Sequence, residues 1–128
     1  MSFSNSTETL VLNWLLTTGS ATRPTAWYLA LFTSNPDEDG SGTEVTTVGT
    51  AYARQTAAFT VSGNTASNSA AIEFATATAS YGTVSHVGVY DASTGGNLIA
   101  YAALTASKII DTGDVLRVPA GDLDITLD

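Results

Sequence analysis

The sequence predicts a mainly β protein, an antiparallel β-sandwich or open barrel of about seven strands with one N-terminal helix. Three observations favour this class. Short apolar runs recur along the 128 residues, and Gly, Asn, Asp or Pro turn residues separate them. Residues 81–104 have the pattern of one long β-hairpin. The only apolar run at helical spacing lies near the N-terminus, whereas a parallel α/β sheet would alternate strands with helices.

We predict a single domain over residues 1–128, with the helix in residues 1–19 and the β-core in residues 25–128. Asn5 is placed to cap the helix, and Glu8 follows three residues later as in a capping box. Gly19 is a suitable end. The apolar stripe of this helix supplies the candidate assembly-interface residues, which are Leu10, Val11, Trp14 and Leu15.

Two interpretations of the apolar helix stay open at this point. The stripe either covers one end of the protein's own β-core or packs against a neighbouring subunit in an assembly. If Trp14 is buried, its replacement by alanine should cost about 3 to 5 kcal/mol of stability. Deletion of residues 1–16 separates the two interpretations: loss of folding would mean an internal lid, whereas a folded chain that no longer joins the particle would mean an attachment arm.

The first half of the predicted β-core begins with residues 27–32, WYLALF, a run typical of a strand buried on both faces. Residues 33–50 are rich in Asp, Gly, Ser and Thr, which predicts a long surface loop. A half-buried strand is expected over residues 52–62, with Phe59 and Val61 on its inward face and Arg54 on the opposite, polar face, before a turn at Gly63-Asn64. A further short strand is expected around Ile72 and Phe74.

The second half of the β-core contains the central hairpin, whose Gly95-Gly96 turn can adopt positive φ angles. A strand over residues 115–118 ends at Pro119. Residues 122–128 alternate apolar and polar side chains, as in a half-exposed strand with Leu127 inward. The predicted core consists of Trp27, Leu29, Leu31, Phe59, Ile72, Phe74, Val87, Val89, Leu123 and Ile125.

Composition and charge exclude several classes of partner. Four Lys and Arg residues oppose twelve Asp and Glu residues, and the net charge of −8 repels nucleic acid and anionic membrane surfaces. No apolar run approaches the roughly 20 residues of a membrane span. The chain has no cysteine, which excludes disulfides and thiolate metal sites. Charged residues make up only 12% of the chain, which suits either a neutral polar surface or a large interface.

No catalytic site is predicted, and no cofactor. His86 is the only histidine, and Asp91 lies five positions away, which places the two side chains on opposite faces of a regular strand. The sequence also lacks the Gly-x-Ser-x-Gly motif that exposes a nucleophilic serine. We therefore expect a protein that is not an enzyme.

A metal site and a sugar site are both weak alternatives. Asp37-x-Asp39-x-Ser41-Gly42 matches the start of a calcium loop, but Val48 stands where a bidentate glutamate is required, so no metal is expected. Aromatic side chains can also line sugar sites, although burial in the core explains them more simply. Those aromatic residues are Trp27, Tyr28, Tyr52, Tyr81, Tyr90 and Tyr101.

Five segments resemble a family of short bacteriophage virion proteins usually described as phage tail fibre proteins. The segments are LNWLLTTGS, WYLALFTSNPDEDGSGTEV, AYARQ, SHVGVYDASTGGNLIAYAALTASK and GDVLRVPAGDLDITL, which together extend nearly from end to end. The most specific parts are the block at residues 51–55, the His86-x-Gly-x-Tyr-Asp91 strand with its glycine turn, and the closing residues 119–123.

The resemblance implies a non-enzymatic virion component, made in the host cytoplasm, that forms a homotrimer and contacts other virion proteins. The chain has no collagen-like or heptad repeat of a fibrous shaft. The expected function is therefore a small tail-fibre or baseplate-type knob. A capsid decoration (cement) protein on the phage head is the alternative, and a host-glycan-binding module is the second alternative.

Overall fold

The computed structural model describes residues 1–128 and confirms a mainly β, antiparallel fold with one helix. Its strands form three open sheets and no closed barrel, so the sandwich is the alternative that the chain adopts. The elements are β1 (Ser2–Phe3), α1 (Asn5–Leu16), β2 (Tyr28–Phe32), β3 (Gln55–Thr56), β4 (Phe59–Ser62), β5 (Thr65–Asn68), β6 (Ile72–Glu73), β7 (Gly82–Tyr90), β8 (Leu98–Ile110), β9 (Arg117–Val118) and β10 (Asp124–Thr126).

The predicted hairpin is confirmed as β7 and β8, and it lies at the centre of the large sheet, in which the strand order is β1-β8-β7-β2-β3. Its turn closes where the Asp91 amide donates to the Asn97 carbonyl at 3.2 Å. Gly95 and Gly96 both have positive φ angles, as predicted for this turn. Strand β8 continues to Ile110, beyond the predicted end of the hairpin.

One face of the large sheet carries the main core. The second sheet, β4, β5 and β10, and the third sheet, β6 and β9, lie over this face. The buried cluster includes seven of the ten predicted core residues, Leu29, Leu31, Ile72, Phe74, Val87, Val89 and Leu123. Trp27, Phe59 and Ile125 pack against the cluster but stay partly exposed.

The opposite face of the large sheet carries a smaller buried cluster, which explains why β2 is apolar on both sides. Ala30, Phe32, Tyr90 and Leu98 form this cluster. A Cβ atom on Gly88 would lie 2.9 Å from Leu98 Cδ1 and 3.1 Å from Phe32 Cε2, so glycine lets these side chains lie against the strand. The large sheet is therefore buried on both faces at β2 and at the adjoining end of the hairpin.

The predicted surface loop, residues 33–50, is anchored to the large sheet. The Val45 amide donates to the Leu31 carbonyl at 2.9 Å, and the Thr33 amide donates to the Thr43 carbonyl at the same distance. Pro36 and Val45 are buried, although most other side chains of the loop are exposed. The loop therefore covers part of the sheet.

The predicted strand over residues 52–62 is broken into β3 and β4. Between them, the Ala57 amide donates to the Trp27 carbonyl at 2.8 Å, and Val61 is 75% exposed where we expected an inward side chain. The prediction was also wrong for Leu127, which is 57% exposed. Both residues lie near the open rim of the sandwich, where alternation no longer corresponds to burial.

Strand β5 is absent from the prediction because its polar sequence, TASN, has no apolar alternation. The strand pairs with both β4 and β10, and Asn68 at its end is buried. The Asn68 amide group donates to the carbonyls of Ala70 and Pro119, both at 2.9 Å, and its oxygen accepts from the Leu123 amide at 2.9 Å. This side chain satisfies three backbone groups of neighbouring turns.

The helix begins one residue earlier than the capping pattern suggested. Ser4, not Asn5, is the N-cap: its backbone is extended and its hydroxyl accepts a hydrogen bond from the Thr7 amide at 3.4 Å. Asn5 is the first helical residue, and the helix ends at Leu16, ahead of Gly19. No helix in the protein is long and apolar enough to cross a membrane.

Candidate functional site

The first turn of α1 is fixed to strand β8. The Ser4 amide and the Thr7 hydroxyl both donate to the Ile99 carbonyl, at 3.0 Å and 2.8 Å. The Ser6 hydroxyl donates to the Leu98 carbonyl at 2.8 Å, and the Ser4 hydroxyl donates to the same oxygen. These bonds hold the base of the helix, and they involve only its first turn and its cap.

The C-terminal half of α1 leaves its apolar side chains in solvent. None of the helical residues is buried, and Leu12, Trp14, Leu15 and Leu16 are 56% to 76% exposed. The interpretation of the helix as a lid over its own β-core is therefore wrong, and the condition for a large cost of Trp14→Ala is not met. Two of the four candidate interface residues, Trp14 and Leu15, are exposed.

The other two candidates, Leu10 and Val11, are half-buried. Leu10 shares a helix face with Trp14, whereas Leu12, Leu15 and Leu16 lie together on another face because they are three and four residues apart. The helix end therefore carries apolar side chains on both of these faces, and Asn13 is the one polar residue between Leu10 and Leu16. We call the face formed by Leu12, Leu15 and Leu16 the helix ridge.

An apolar groove of about 340 Å³ opens between the large sheet and the second sheet. The register places Val61 and Ile125 on either side of Ala66, and the small alanine side chain leaves space between its two larger neighbours. The lining consists of Phe3, Trp27, Phe59, Val61, Gly63, Asn64, Ala66, Val89, Ile99, Ile125 and Leu127. The sequence did not predict this groove, although the pairs Phe59-x-Val61 and Ile125-x-Leu127 were a usable signal.

Arg54 is the centre of a polar network on the other side of the large sheet. Its Nε and one terminal nitrogen donate to the two carboxylate oxygens of Glu44, both at 2.8 Å. The remaining nitrogen donates to the carbonyls of Ala92 at 3.0 Å and Gly95 at 2.7 Å. The guanidinium carbon lies 3.7 Å from the centre of the Tyr90 ring, in cation–π geometry.

Tyr52 extends this network into the core. Its hydroxyl donates to Glu44 at 2.7 Å and accepts from the Leu31 amide at 3.1 Å. Tyr52 and Arg54 belong to the AYARQ block, which the sequence identified as specific without predicting what it does. The block joins residues 33–50, the strand β2 and the hairpin turn.

Burial, followed by the hydrogen bond to Glu44 and the charge of that carboxylate, raises the pKa of Tyr52 far above its usual value. Burial acts to lower the pKa of Arg54, but the hydrogen bonds and negative charge of Glu44 outweigh it and raise that pKa. Burial also raises the pKa of Tyr90. The network therefore holds neutral tyrosines beside the Arg54–Glu44 ion pair.

We expect alkaline pH to destabilise the protein through Tyr52. The folded-state pKa of this phenol is raised above its unfolded value of about 10, so its contribution is complete below that pH and is lost as pH rises. The free energy of unfolding should fall by up to about 1.4 kcal/mol per pH unit for this group. Urea unfolding between about pH 8 and 11 measures the slope.

Tyr52→Phe is the matched variant for the pH experiment. It removes two hydrogen bonds and so lowers stability at neutral pH, but it should reduce the alkaline slope. Some slope remains because the pKa of Tyr81 is also raised by burial. An unchanged slope in the variant would exclude Tyr52 as the titrating group.

The calcium-like segment forms local turns. The Asn35 side-chain amide donates to Asp37 at 2.7 Å, and the Ser41 backbone amide donates to Asp39 at 3.0 Å. Hydrogen bonding from the Ser41 side chain, followed by that from its backbone amide, lowers the pKa of Asp39. No group of three His, Asp or Glu side chains is placed to hold a metal ion. That the fold does not depend on metal stays a prediction.

The side chains of His86 and Asp91 have different hydrogen-bond partners. The His86 Nδ1 lies 2.8 Å from the Ser85 hydroxyl. The Asp91 carboxylate instead accepts from the Asn97 amide at 2.7 Å and from its side chain at 2.9 Å, which stabilises the hairpin turn. The structure does not bring them together as a catalytic pair.

Three of the aromatic residues considered for a sugar site belong to the interior. Tyr52 stacks on Phe74 with ring centres 6.1 Å apart and meets Tyr81 edge to face at 5.8 Å. Tyr90 stacks on Phe32 at 6.3 Å. Core packing accounts for these rings.

Comparison with models of known families shows which family the chain belongs to. The model of the family Gp80, described as podophage GP4 fiber I protein gp80, matches residues 2–126. No match was found among the curated proteins. A match over nearly the whole length agrees with the resemblance of the sequence to phage tail fibre proteins. The chain therefore belongs to the Gp80 family of podophage fibre proteins and is a structural component of the virion.

Proposed function

We propose that the protein is a small tail-fibre or baseplate-type knob that joins the phage particle through α1. The observation that carries this proposal is the exposed apolar end of the helix, with Leu12, Trp14, Leu15 and Leu16 in solvent. Burial of a large apolar side chain is worth about 1.5 to 3 kcal/mol. Exposed apolar patches of this kind normally mark a contact surface, so we expect the assembly to cover the apolar end of this helix.

We further propose that the chain is one domain that forms a symmetric homo-oligomer and contacts other virion proteins. The number three comes from the resemblance to tail fibre proteins. A net charge of −8 makes acidic surfaces repel one another, so copies have to meet through uncharged surfaces. Residues 9–22 carry no charged side chain, which makes the helix end suitable for such a contact.

A structural role without catalysis is supported by how the polar groups are used. Glu44 is engaged by Arg54 and Tyr52, and Asp91 is engaged by Asn97. These carboxylates stabilise loops, and His86 is not paired with either of them. This use of the polar side chains favours a structural role over a catalytic one.

Capsid decoration on the phage head is the second candidate function. The specific observation in its favour is the compact sandwich, which contains no fibrous repeat and would suit a capsid-bound protein equally well. The two functions differ in where the copies lie on the particle.

Location in the purified particle is the deciding experiment. We expect cryo-electron microscopy, with antibody labelling of the protein, to find copies at a few symmetric positions on the tail. Quantitative mass spectrometry against the major capsid protein supplies the copy number. Copies spread over the head would favour capsid decoration over the tail knob. Absence of the protein from the particle would contradict both functions.

A further inference from the structure

We propose that the helix ridge of one copy docks in the apolar groove of the next copy, so that subunits join head to tail. This inference rests on the proposed homo-oligomer and adds its geometry. The partner is a second copy of this chain because the chain carries both an unpartnered apolar ridge and an unfilled apolar groove. The helix does not fill its own groove, since its ridge side chains remain exposed.

The helix ridge has the side-chain spacing of helices that bind in hydrophobic grooves. Leu12, Leu15 and Leu16 lie at i, i+3 and i+4 on one face, the spacing at which an amphipathic helix inserts anchors into a hydrophobic groove. The first turn is hydrogen bonded to β8, which holds the helix base in place. A fixed base reduces the conformational entropy that docking costs.

The groove is large enough for two ridge side chains. An apolar cavity of about 150 Å³ holds a benzene-sized group, and this groove has about 340 Å³. Phe59 and Trp27 form aromatic walls of the groove. The small side chain of Ala66 leaves room between these walls and the rim. The exposed rim residues, Val61 and Leu127, would become buried against a docked leucine.

Charge supports the same pairing. None of the groove-lining residues is charged, and neither is any ridge residue, although the chain as a whole has a net charge of −8. Contact between these two surfaces brings no carboxylates into the interface core, where an unpaired charge is costly. An anionic membrane is a poorer occupant, because the helix carries no Lys or Arg to attract it.

The ridge and the groove are different surfaces, so the contact is heterologous. Such a contact makes a ring when its rotation closes and a filament when it does not. In a closed ring of three copies, every helix ridge would be docked in a groove and no groove would stay empty. This contact is compatible with the trimer that the resemblance implies, and it needs no symmetric helix bundle.

Cysteine cross-linking tests the pairing directly, because the chain has no cysteine of its own. In the double variant Leu16→Cys and Val61→Cys, mild oxidation should form disulfides between copies, seen on non-reducing gels. Leu16→Cys with Ile109→Cys is the matched control, since Ile109 is exposed but does not line the groove. Cross-linking of Leu16→Cys alone would indicate helix-to-helix contact and overturn the proposal.

A mixing experiment tests whether both surfaces are needed. Leu15→Asp disables the ridge and Leu127→Asp disables the groove, and both sites are exposed, so folding is retained and circular dichroism verifies it. Each variant should weaken self-association by roughly 30-fold or more, as loss of an interface anchor does. Mixed together, the two variants should form a heterodimer, because each keeps the surface that the other has lost.

The outcomes separate this inference from the function on which it rests. If Leu127→Asp associates as the unmodified chain does, the groove is not the docking site, although the homo-oligomer stands. If the unmodified chain stays monomeric at high concentration in analytical ultracentrifugation, both the homo-oligomer and the docking contact fail. A cross-linked Leu16–Val61 pair with heterodimers in the mixture would establish the contact.

Discussion

Arg54→Ala is expected to lower the free energy of unfolding by about 3 kcal/mol. The side chains of Arg54 and Glu44 are only 8% and 27% exposed, so the substitution leaves a largely buried carboxylate without its cation. The carbonyls of Ala92 and Gly95 lose their donor at the same time, which loosens the hairpin turn. Chemical denaturation in urea, followed by circular dichroism, measures the loss.

Arg117→Ala is the matched control for that experiment. Arg117 and Glu73 lie 3.9 Å apart with side chains that are 56% and 62% exposed, and surface pairs of this kind contribute little to stability. The double variant Arg54→Ala with Glu44→Ala should cost less than the sum of the two single variants, because it leaves no buried charge unpaired. A loss in Arg54→Ala no larger than that in Arg117→Ala would show that the network is dispensable.

The importance of Arg54 could not be predicted from the sequence because its partners are distant along the chain. Glu44 is ten residues away, and Ala92 is thirty-eight residues away. Alternation within residues 52–62 placed Arg54 on the polar side of a strand, which is a statement about local pattern only. The resemblance singled out the AYARQ block, but the pairing with Glu44 depends on how the loop folds back over the large sheet.

The hairpin and β2 were predictable because their signals are local and strong. Two apolar runs around a double-glycine turn define β7 and β8, and a run of six apolar residues defines a strand that is buried on both faces. Strand β5 gave no such signal, because its polar residues are placed by pairing with β4 and β10 and by the hydrogen bonds of Asn68. A buried polar residue that bonds to several backbone groups produces no periodic pattern in the sequence.

The groove was missed for a related reason. The wall of the groove formed by the second sheet needs Val61, Ala66 and Ile125 to lie in register across three strands, and no segment of sequence specifies that alignment alone. The helix presented a different difficulty, because an apolar stripe has the same sequence whether it covers its own core or another subunit. Only the burial of the individual side chains distinguishes those two cases.

Replacement of the exposed apolar side chains at the helix end is expected to abolish incorporation into the particle while leaving the domain folded. The double variant Trp14→Ser with Leu15→Ser should change the free energy of unfolding of the monomer by less than about 1 kcal/mol, because both side chains are largely in solvent. Deletion of residues 1–16 is a poorer test, since it also removes strand β1 and Phe3 from the groove. Mass spectrometry of purified particles measures the amount incorporated.

Two controls make this result specific to the helix. Val48→Ser alters an exposed apolar side chain outside both surfaces and should incorporate normally. Phe74→Ala removes a fully buried ring and should cost about 3 to 5 kcal/mol, which shows what failure through unfolding looks like. If the helix variant incorporates as well as Val48→Ser, α1 is not the attachment element. If it is absent from particles yet unfolds at the same urea concentration as the unmodified chain, its apolar end is what the assembly buries.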